Sequence, residues 1–151
     1  MKSYLLTGLL TSFLLVVSSV VMAKPQANQT IEFLNSAPST LPFSEAVKVN
    51  GTLYLSGQIG FDRKAGKLVS GGTVAEAHQT LKNIKRSLNN HGYAMSDVVK
   101  CLVILTDIND FAAFNEVYKQ YFKPPYPARS AFAASALALN SHVEIECIAA
   151  K

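Results

Sequence analysis

A nearly uncharged apolar run from Leu5 to Met22 decides which part of this chain can form a folded domain. Lys2 precedes the run, and Val21-Met22-Ala23 ends it with small residues at the −3 and −1 positions before Lys24. A basic start, an apolar middle and a small-residue end are typical of a cleavable secretory signal peptide. The alternative is an uncleaved membrane anchor, for which the run is near the lower length limit. We therefore expect cleavage after Ala23, with no membrane attachment afterwards, and one domain over residues 24–151 in the periplasm or outside the cell.

Charge and metal-ligand spacing exclude several functions for this domain. Without Lys2 the chain keeps 13 basic and 10 acidic side chains, a net charge of +3. The nearest approach to a basic patch is Lys82, Lys85 and Arg86, which lie late in a predicted helix, where cations suit the helix dipole. We therefore expect no nucleic-acid partner. The histidines and cysteines show no ligand-like spacing, so we expect no metal site.

The two cysteines, Cys101 and Cys147, both fall inside predicted strands with apolar neighbours. An oxidising compartment permits a disulfide between them. Buried free thiols are the simpler interpretation, and we expect them here.

Turn and periodicity signals predict seven elements. Asn50-Gly51 separates the apolar segments Ala46–Val49 and Thr52–Leu55, which is typical of a tight hairpin, and Ser56–Ile59 should continue its second strand. Residues 24–41 should form an irregular leader. A first helix should begin with a capping box of Thr73 and Glu76 and end at Gly92, with a buried stripe of Val74, Ala77, Leu81, Ile84 and Leu88.

The second half of the chain continues with a strand, a helix and two more strands. Val98 to Thr106 is apolar and rich in β-branched residues, so it should be a strand. Asp107 to Asp110 can cap a helix that ends before a proline-rich segment and carries one apolar face, formed by Phe111, Phe114, Tyr118 and Phe122. Closing strands are expected at about Ser130–Leu137 and His142–Ala149.

The resulting order, β-β-α-β-α-β-β, predicts an α+β two-layer sandwich. Two helices would cover one face of a mixed sheet. The other face must also be covered, and it is not fully apolar. Self-association is the simplest way to cover it.

Three side chains in or at the ends of the predicted strands could carry chemistry. Arg129 opens a strand, and its planar guanidinium suits a carboxylate, although a structural ion pair is the alternative. Glu144, with Glu146, alternates against apolar residues in the last strand, and it could hold a water or relay a proton unless it lies on an exposed face. Ser56 lacks a nucleophile-elbow motif, so a hydrogen-bonding role is expected for it.

Seven segments together resemble one known family, reactive intermediate deaminases, also called Rid or YjgF. They occur in order at that family's spacings, and the resemblance runs from about residue 32 to 150. The segments are Pro42-Phe43-Ser44-Glu45-Ala46-Val47, Leu55-Ser56-Gly57-Gln58-Ile59, Asp97-Val98-Val99-Lys100, Thr106-Asp107-Ile108-Asn109-Asp110-Phe111, Asn115-Glu116-Val117-Tyr118, Pro127-Ala128-Arg129-Ser130 and Val143-Glu144-Ile145-Glu146.

The resemblance implies a chorismate-mutase-like fold and a homotrimer with sites between subunits. It also implies hydrolysis of imines and enamines, such as 2-iminobutanoate and 2-aminoacrylate, to 2-oxo acids and ammonia, with no cofactor. By the same resemblance, Arg129 would bind the substrate carboxylate and Glu144 would activate water. The cleft would be lined by further residues, namely Phe43, Ser56, Gly57, Asn115 and Ala131.

Two positions depart from the family's pattern. The family often has tyrosine where this chain has Phe43, and cysteine where it has Ala131. Both changes remove a polar group and suggest a shifted substrate preference or a lower rate. A non-enzymatic small-molecule-binding or chaperone-like trimer is the alternative function, and a ribonuclease is a third.

Overall fold

Residues 29–151 are described here from a computed structural model. The expected signal peptide, its cleavage site and the first residues after it lie outside the described part. From residue 29 onward, no helix is long and apolar enough to cross a membrane.

Seven strands form one mixed sheet. Six of them lie side by side in the spatial order β1 (Ile31–Leu34), β2 (Ala46–Val49), β3 (Thr52–Leu55), β9 (Val143–Ala150), β7 (Val98–Leu105) and β8 (Ala128–Ala133). The seventh, the short β4 (Gln58–Ile59), also pairs with β9. The β7–β8 pair is parallel, and all other pairs of this sheet are antiparallel. A separate small hairpin joins β5 (Phe61–Asp62) to β6 (Lys67–Leu68).

Two helices pack against one face of the sheet and against each other. They are α1 (Gly72–Asn90) and α2 (Phe111–Tyr121). The core between the layers is largely apolar, with residues at 0% exposure such as Leu53, Leu81, Ile84, Val103, Phe114 and Ile145. The α+β two-layer architecture expected from the sequence, a mixed sheet with two helices on one face, is therefore confirmed.

The tight hairpin is also confirmed, and both of its turn residues have a physical role. Val49 pairs with Thr52, so the loop is only Asn50 and Gly51, and Asn50 adopts the left-handed region with φ 54°. A Cβ on Gly51 would lie 2.5 Å from the carbonyl oxygen of Lys151. Glycine therefore allows the C-terminus to pack against this turn.

Several local predictions were wrong. The leader contains β1, which pairs with β2 at the sheet edge. The second hairpin strand stops at Leu55, and β4 begins only at Gln58. The strand expected at Ser130–Leu137 runs instead from Ala128 to Ala133.

The capping box predicted at the start of α1 does not form. Gly71 is the N-cap, and no side chain caps the helix. The Thr73 hydroxyl instead donates to the Asp110 carboxylate, and the Glu76 carboxylate accepts the His142 backbone N–H at 2.7 Å. Tertiary partners therefore replace the local hydrogen bonds. Val74, placed in the buried stripe, is 44% exposed.

The prediction of free thiols was wrong as well, because Cys101 and Cys147 form a disulfide. The two residues are directly opposite each other in the β7–β9 pair, and each is 1% exposed. Both were correctly placed in buried strands, but their pairing depends on a register that links residues 46 positions apart.

Candidate functional site

A cleft of about 940 Å³ opens beside the break between β3 and β4. Four residues proposed from the sequence line it together: Phe43, Ser56, Gly57 and Glu144. The strand break at residues 56–57 exposes this backbone, and β9 brings Glu144 alongside it, since Ile59 of β4 pairs with Glu144.

Gly57 gives the Glu144 carboxylate its place in the cleft. A Cβ on Gly57 would lie 2.0 Å from Glu144 Oε1 and 3.0 Å from its Cδ. The carboxylate therefore lies directly over the backbone of residue 57, and any side chain there would have to displace it.

The surroundings of Glu144 favour its protonated form. Burial raises the pKa of Glu144, and the like charge of Glu146, two residues along the same strand, raises it further. A carboxylate with a raised pKa is a stronger base when ionised. This group is therefore suited to accept and return a proton.

Ser56 is held as a structural hydrogen-bonding residue. Its hydroxyl donates to the carbonyl of Ser44 at 2.7 Å, and its backbone N–H donates to the carbonyl of Glu45. These bonds fix the segment that carries Phe43 against the end of β3. None of the histidines lines the cleft, so no imidazole base activates Ser56 there.

An acid–base pair in the same cleft, Glu45 and Arg63, was not predicted from the sequence. Burial acts to raise the pKa of Glu45, but hydrogen bonds from Ser36 and Ser87, with the charge of Arg63, outweigh burial and lower it. Arg63 Nη2 lies 3.8 Å from Glu45 Oε1. Glu45 and Arg63 are well separated in the sequence, and the fold brings their side chains together.

Arg129 lies elsewhere, against α2. Its guanidinium donates to the Asn115 side-chain oxygen at 2.8 Å and lies 4.6 Å from the centre of the Tyr118 ring. Burial raises the pKa of Tyr118 to about 12, although the charge of Arg129 opposes this, so the phenol stays neutral. Neutral groups therefore hold Arg129, and from residue 29 to 151 it makes no salt bridge.

Within one chain, Arg129 and Glu144 point to opposite faces of the sheet. Arg129 pairs with Cys101, which faces the helices, whereas Glu144 pairs with Ile104, three residues further along β7. Side chains alternate between the two faces along a strand. The usual spacings of strands and residues put the Cα atoms of Arg129 and Glu144 about 14 Å apart. Ala131 pairs with Val103, on the same face as Arg129.

The predicted site residues therefore form two separate groups. Arg129, Asn115 and Ala131 belong to the edge strand β8 and to α2, and the cleft residues surround Glu144. One chain does not bring the two groups together.

The face of the sheet opposite the helices carries large exposed apolar side chains. Strand alternation and register place four of them on this face, with exposures of 46–73%: Ile31, Phe33, Tyr54 and Phe132. Such a patch is typical of an interface. Glu144 is on this same face.

The described residues contain no cluster of three or more potential metal-binding side chains.

Comparison with known proteins agrees with this architecture. The family model described as Endoribonuclease L-PSP matches residues 34–151. A human protein named 2-iminobutanoate/2-iminopropanoate deaminase is 51% identical over 114 residues, which are 75% of this chain and 83% of the human protein. The chloroplastic Reactive Intermediate Deaminase A of Arabidopsis thaliana is 38% identical over 87% of this chain and 71% of its own length.

The comparison with solved structures points to the same family. The crystal structure of RidA from an Antarctic Psychrobacter bacterium superimposes with a TM-score of 0.72 at 43% identity, covering 76% of this chain and 92% of that one. The chain therefore belongs to the Endoribonuclease L-PSP family, the Rid or YjgF proteins.

Proposed function

We propose that this protein hydrolyses small imino and enamino acids to 2-oxo acids and ammonia. The relatives named as 2-iminobutanoate/2-iminopropanoate deaminases support this proposal at about half identity. The observation that carries it is the state of Arg129, a half-buried guanidinium that neutral groups hold and no carboxylate of residues 29–151 neutralises.

Arg129 is suited to bind the substrate carboxylate. A guanidinium can bind a carboxylate through two parallel hydrogen bonds, which fix both position and orientation. Asn115 occupies one of its donors, and the Tyr118 ring limits its movement. The remaining donors and the uncompensated charge stay available to an anion.

Glu144 is suited to manage the protons. An imine carbon is already electrophilic, so the protein has to orient water and transfer protons. The ionised carboxylate takes a proton as water adds to the carbon, and it returns that proton to the nitrogen. Glu144 then moves a second proton, from the new hydroxyl to the amino nitrogen, and the carbon–nitrogen bond breaks, which leaves the 2-oxo acid and ammonia. An enamine first takes a proton at its β-carbon from protonated Glu144.

This mechanism needs Arg129 and Glu144 in one site, so we propose that neighbouring subunits of a homotrimer share each site. The opposite orientation of the two side chains within one chain supports sharing, and so does the apolar face that carries Glu144. Analytical ultracentrifugation would test the trimer. A monomer that is fully active at the assay concentration would contradict the shared site.

We also propose an extracytoplasmic location. The apolar N-terminal run supports export, and a disulfide persists in oxidising compartments. N-terminal sequencing of the protein from a periplasmic extract should begin at Lys24. A mature protein that keeps Met1 in the cytoplasm would contradict this location.

Ammonia release from imines generated in situ by an amino-acid oxidase tests the activity. Arg129→Ala should lower kcat/KM by about 100-fold or more, since two charge-assisted hydrogen bonds contribute at least about 3 kcal/mol. Arg129→Lys should recover only part of the loss, because an ammonium lacks the planar fork.

Arg63→Ala is the matched control, since Arg63 is an arginine that lines the Glu144 cleft of the same subunit. Wild-type turnover in Arg63→Ala together with loss in Arg129→Ala supports the proposal. The reverse pattern would place the carboxylate anchor beside Glu144 in one chain. Full activity of both variants would rule out an arginine anchor.

Ribonuclease activity is the competing function, because the matching family model carries that description. The cleft argues against it, since the carboxylates of Glu45 and Glu144 would repel a phosphate backbone. We expect no cleavage of single-stranded RNA at micromolar protein. Cleavage that Glu144→Gln abolishes would favour the ribonuclease.

A further inference from the structure

Four side chains of α2 surround the Arg129 guanidinium, and all of them lie on one face of that helix. Positions i, i+3, i+4 and i+7 share a face of an α-helix, and in α2 they are occupied by Phe111, Phe114, Asn115 and Tyr118. Asn115 accepts a hydrogen bond from Arg129 Nη2 at 2.8 Å, and the other three side chains are aromatic. One helical face therefore gives this arginine an amide and an aromatic cage, formed by Phe111, Phe114 and Tyr118.

The three rings of the aromatic cage are close enough to attract the guanidinium. Its central carbon lies 4.6 Å from the centre of the Tyr118 ring, 5.4 Å from that of Phe111 and 5.9 Å from that of Phe114. A cation within about 6 Å of a ring centre is attracted by the electron-rich face of the ring. Because the rings carry no charge, they hold Arg129 without neutralising it.

The hydrogen bond to Asn115 fixes one nitrogen of Arg129 but not the plane of the guanidinium. A group held at one atom can still rotate about that contact, whereas binding a carboxylate through two parallel hydrogen bonds requires a defined plane. The rings restrict this rotation, and Tyr118 is the nearest of the three. The orientation of the plane therefore depends on the aromatic cage.

The aromatic cage is complete within a single chain. Phe114 is 0% exposed and Tyr118 is 4% exposed, and Phe111 packs against the same core. A neighbouring subunit can therefore cover Arg129, but it cannot replace the rings that hold it.

We infer that Tyr118 is a positioning residue of the deaminase, whose ring holds the plane of the Arg129 guanidinium for the substrate carboxylate. The inference rests on the proposed function and deepens it. Without the ring the guanidinium keeps its charge and still attracts the carboxylate, but the substrate is wrongly oriented toward Glu144. Loss of the ring should therefore act on kcat more than on KM.

The experiment compares Tyr118→Leu, which removes the ring, with Tyr118→Phe, which keeps it. With 2-iminobutanoate generated in situ, Tyr118→Leu should lower kcat at least about tenfold and change KM less than about threefold, since small misplacements of a reacting group are costly. Tyr118→Phe should keep kcat within about twofold of the wild type. Its Tm should equal or exceed that of the wild type, because the buried Tyr118 hydroxyl has no hydrogen-bond partner among residues 29–151.

Phe122→Leu is the matched control. Phe122 is buried against the Tyr118 ring, with ring centres 4.5 Å apart, but it is not one of the three rings around Arg129. This variant should lose Tm as Tyr118→Leu does and keep the wild-type kcat. An equal loss of kcat in both leucine variants, or a loss in Tyr118→Phe, would overturn the role of the Tyr118 ring.

The Arg129 side chain can also be followed by NMR without any substrate. Its terminal N–H hydrogens should give separate signals in the wild type, because the aromatic cage restricts rotation, and averaged signals in Tyr118→Leu. Averaged signals in the wild type would overturn the inference even if imines are hydrolysed, and this arm needs no variant to fold. Separate signals without turnover of any imine would support the cage and overturn the deaminase function.

Discussion

Reduction of the Cys101–Cys147 disulfide should destabilise this domain substantially. The bond joins β7 to β9, two neighbouring interior strands of the sheet, and its cysteines are 46 positions apart, so the closed loop contains all of α2 and β8. Most of a disulfide's effect on stability comes from restricting the unfolded chain, and the restriction grows with loop length.

The length of this loop determines how much stability the disulfide contributes. The chain-entropy relation gives about 4 kcal/mol for a loop of this size at 25 °C. For a domain of this length we expect Tm to fall by on the order of 10–20 °C on reduction. Because each cysteine is 1% exposed, the native protein should react with reductant only through unfolding or local opening.

The assay is thermal unfolding with and without a thiol reductant, at one fixed protein concentration because assembly also shifts Tm. The double variant Cys101→Ala, Cys147→Ala is the control, and its Tm should not respond to the reductant. Two free thiols per chain in the denatured, non-reduced protein, or an equal Tm in both conditions, would refute the reasoning.

Three further outcomes follow from the geometry. Gly57→Ala should lower kcat/KM at least about tenfold with a small change in Tm, because the new Cβ displaces the Glu144 carboxylate, and kinetics with thermal unfolding check it. Because Glu144 acts ionised and its pKa is raised, kcat/KM should fall as pH drops through that pKa, and Glu146→Gln should move this limb of the pH profile to lower pH. Glu76→Ala should lower the free energy of unfolding by about 1–3 kcal/mol in urea denaturation, because the His142 N–H loses its acceptor.

Much of the fold could be predicted because its signals are local. The Asn50-Gly51 turn, the apolar period of α1 and Gly92 at its end each depend on neighbours within a few residues. The strand β1 could not be predicted in this way. It is a short edge strand in a polar segment, and among residues 29–151 it pairs only with β2.

The capping box at Thr73 and Glu76 failed for a related reason. Its residues satisfied a local pattern, but distant partners offered better hydrogen bonds once the chain was folded. The disulfide likewise depends on the β7–β9 register. Sequence patterns do not contain that register.

The candidate site was predictable as a set of residues but not as an arrangement. The resemblance indicated Glu144 and the residues that line its cleft, but it also assigned Asn115 to the cleft, whereas Asn115 binds Arg129 on the other face. The separation of Arg129 from Glu144 follows from parallel pairing of β7 with β8 and from side-chain alternation. Glu45 and Arg63 were missed, because only tertiary structure brings them into the cleft.

The opposite orientation of Arg129 and Glu144 has a genetic consequence. In the proposed trimer every site takes its arginine from one chain and its glutamate from the next. Chains carrying Arg129→Ala and chains carrying Glu144→Gln would each be inactive alone. Co-expressed in equal amounts and mixed at random, they would assemble about one intact site in four. Two defective copies of the gene would thus complement each other, whereas two copies with the same defect would not.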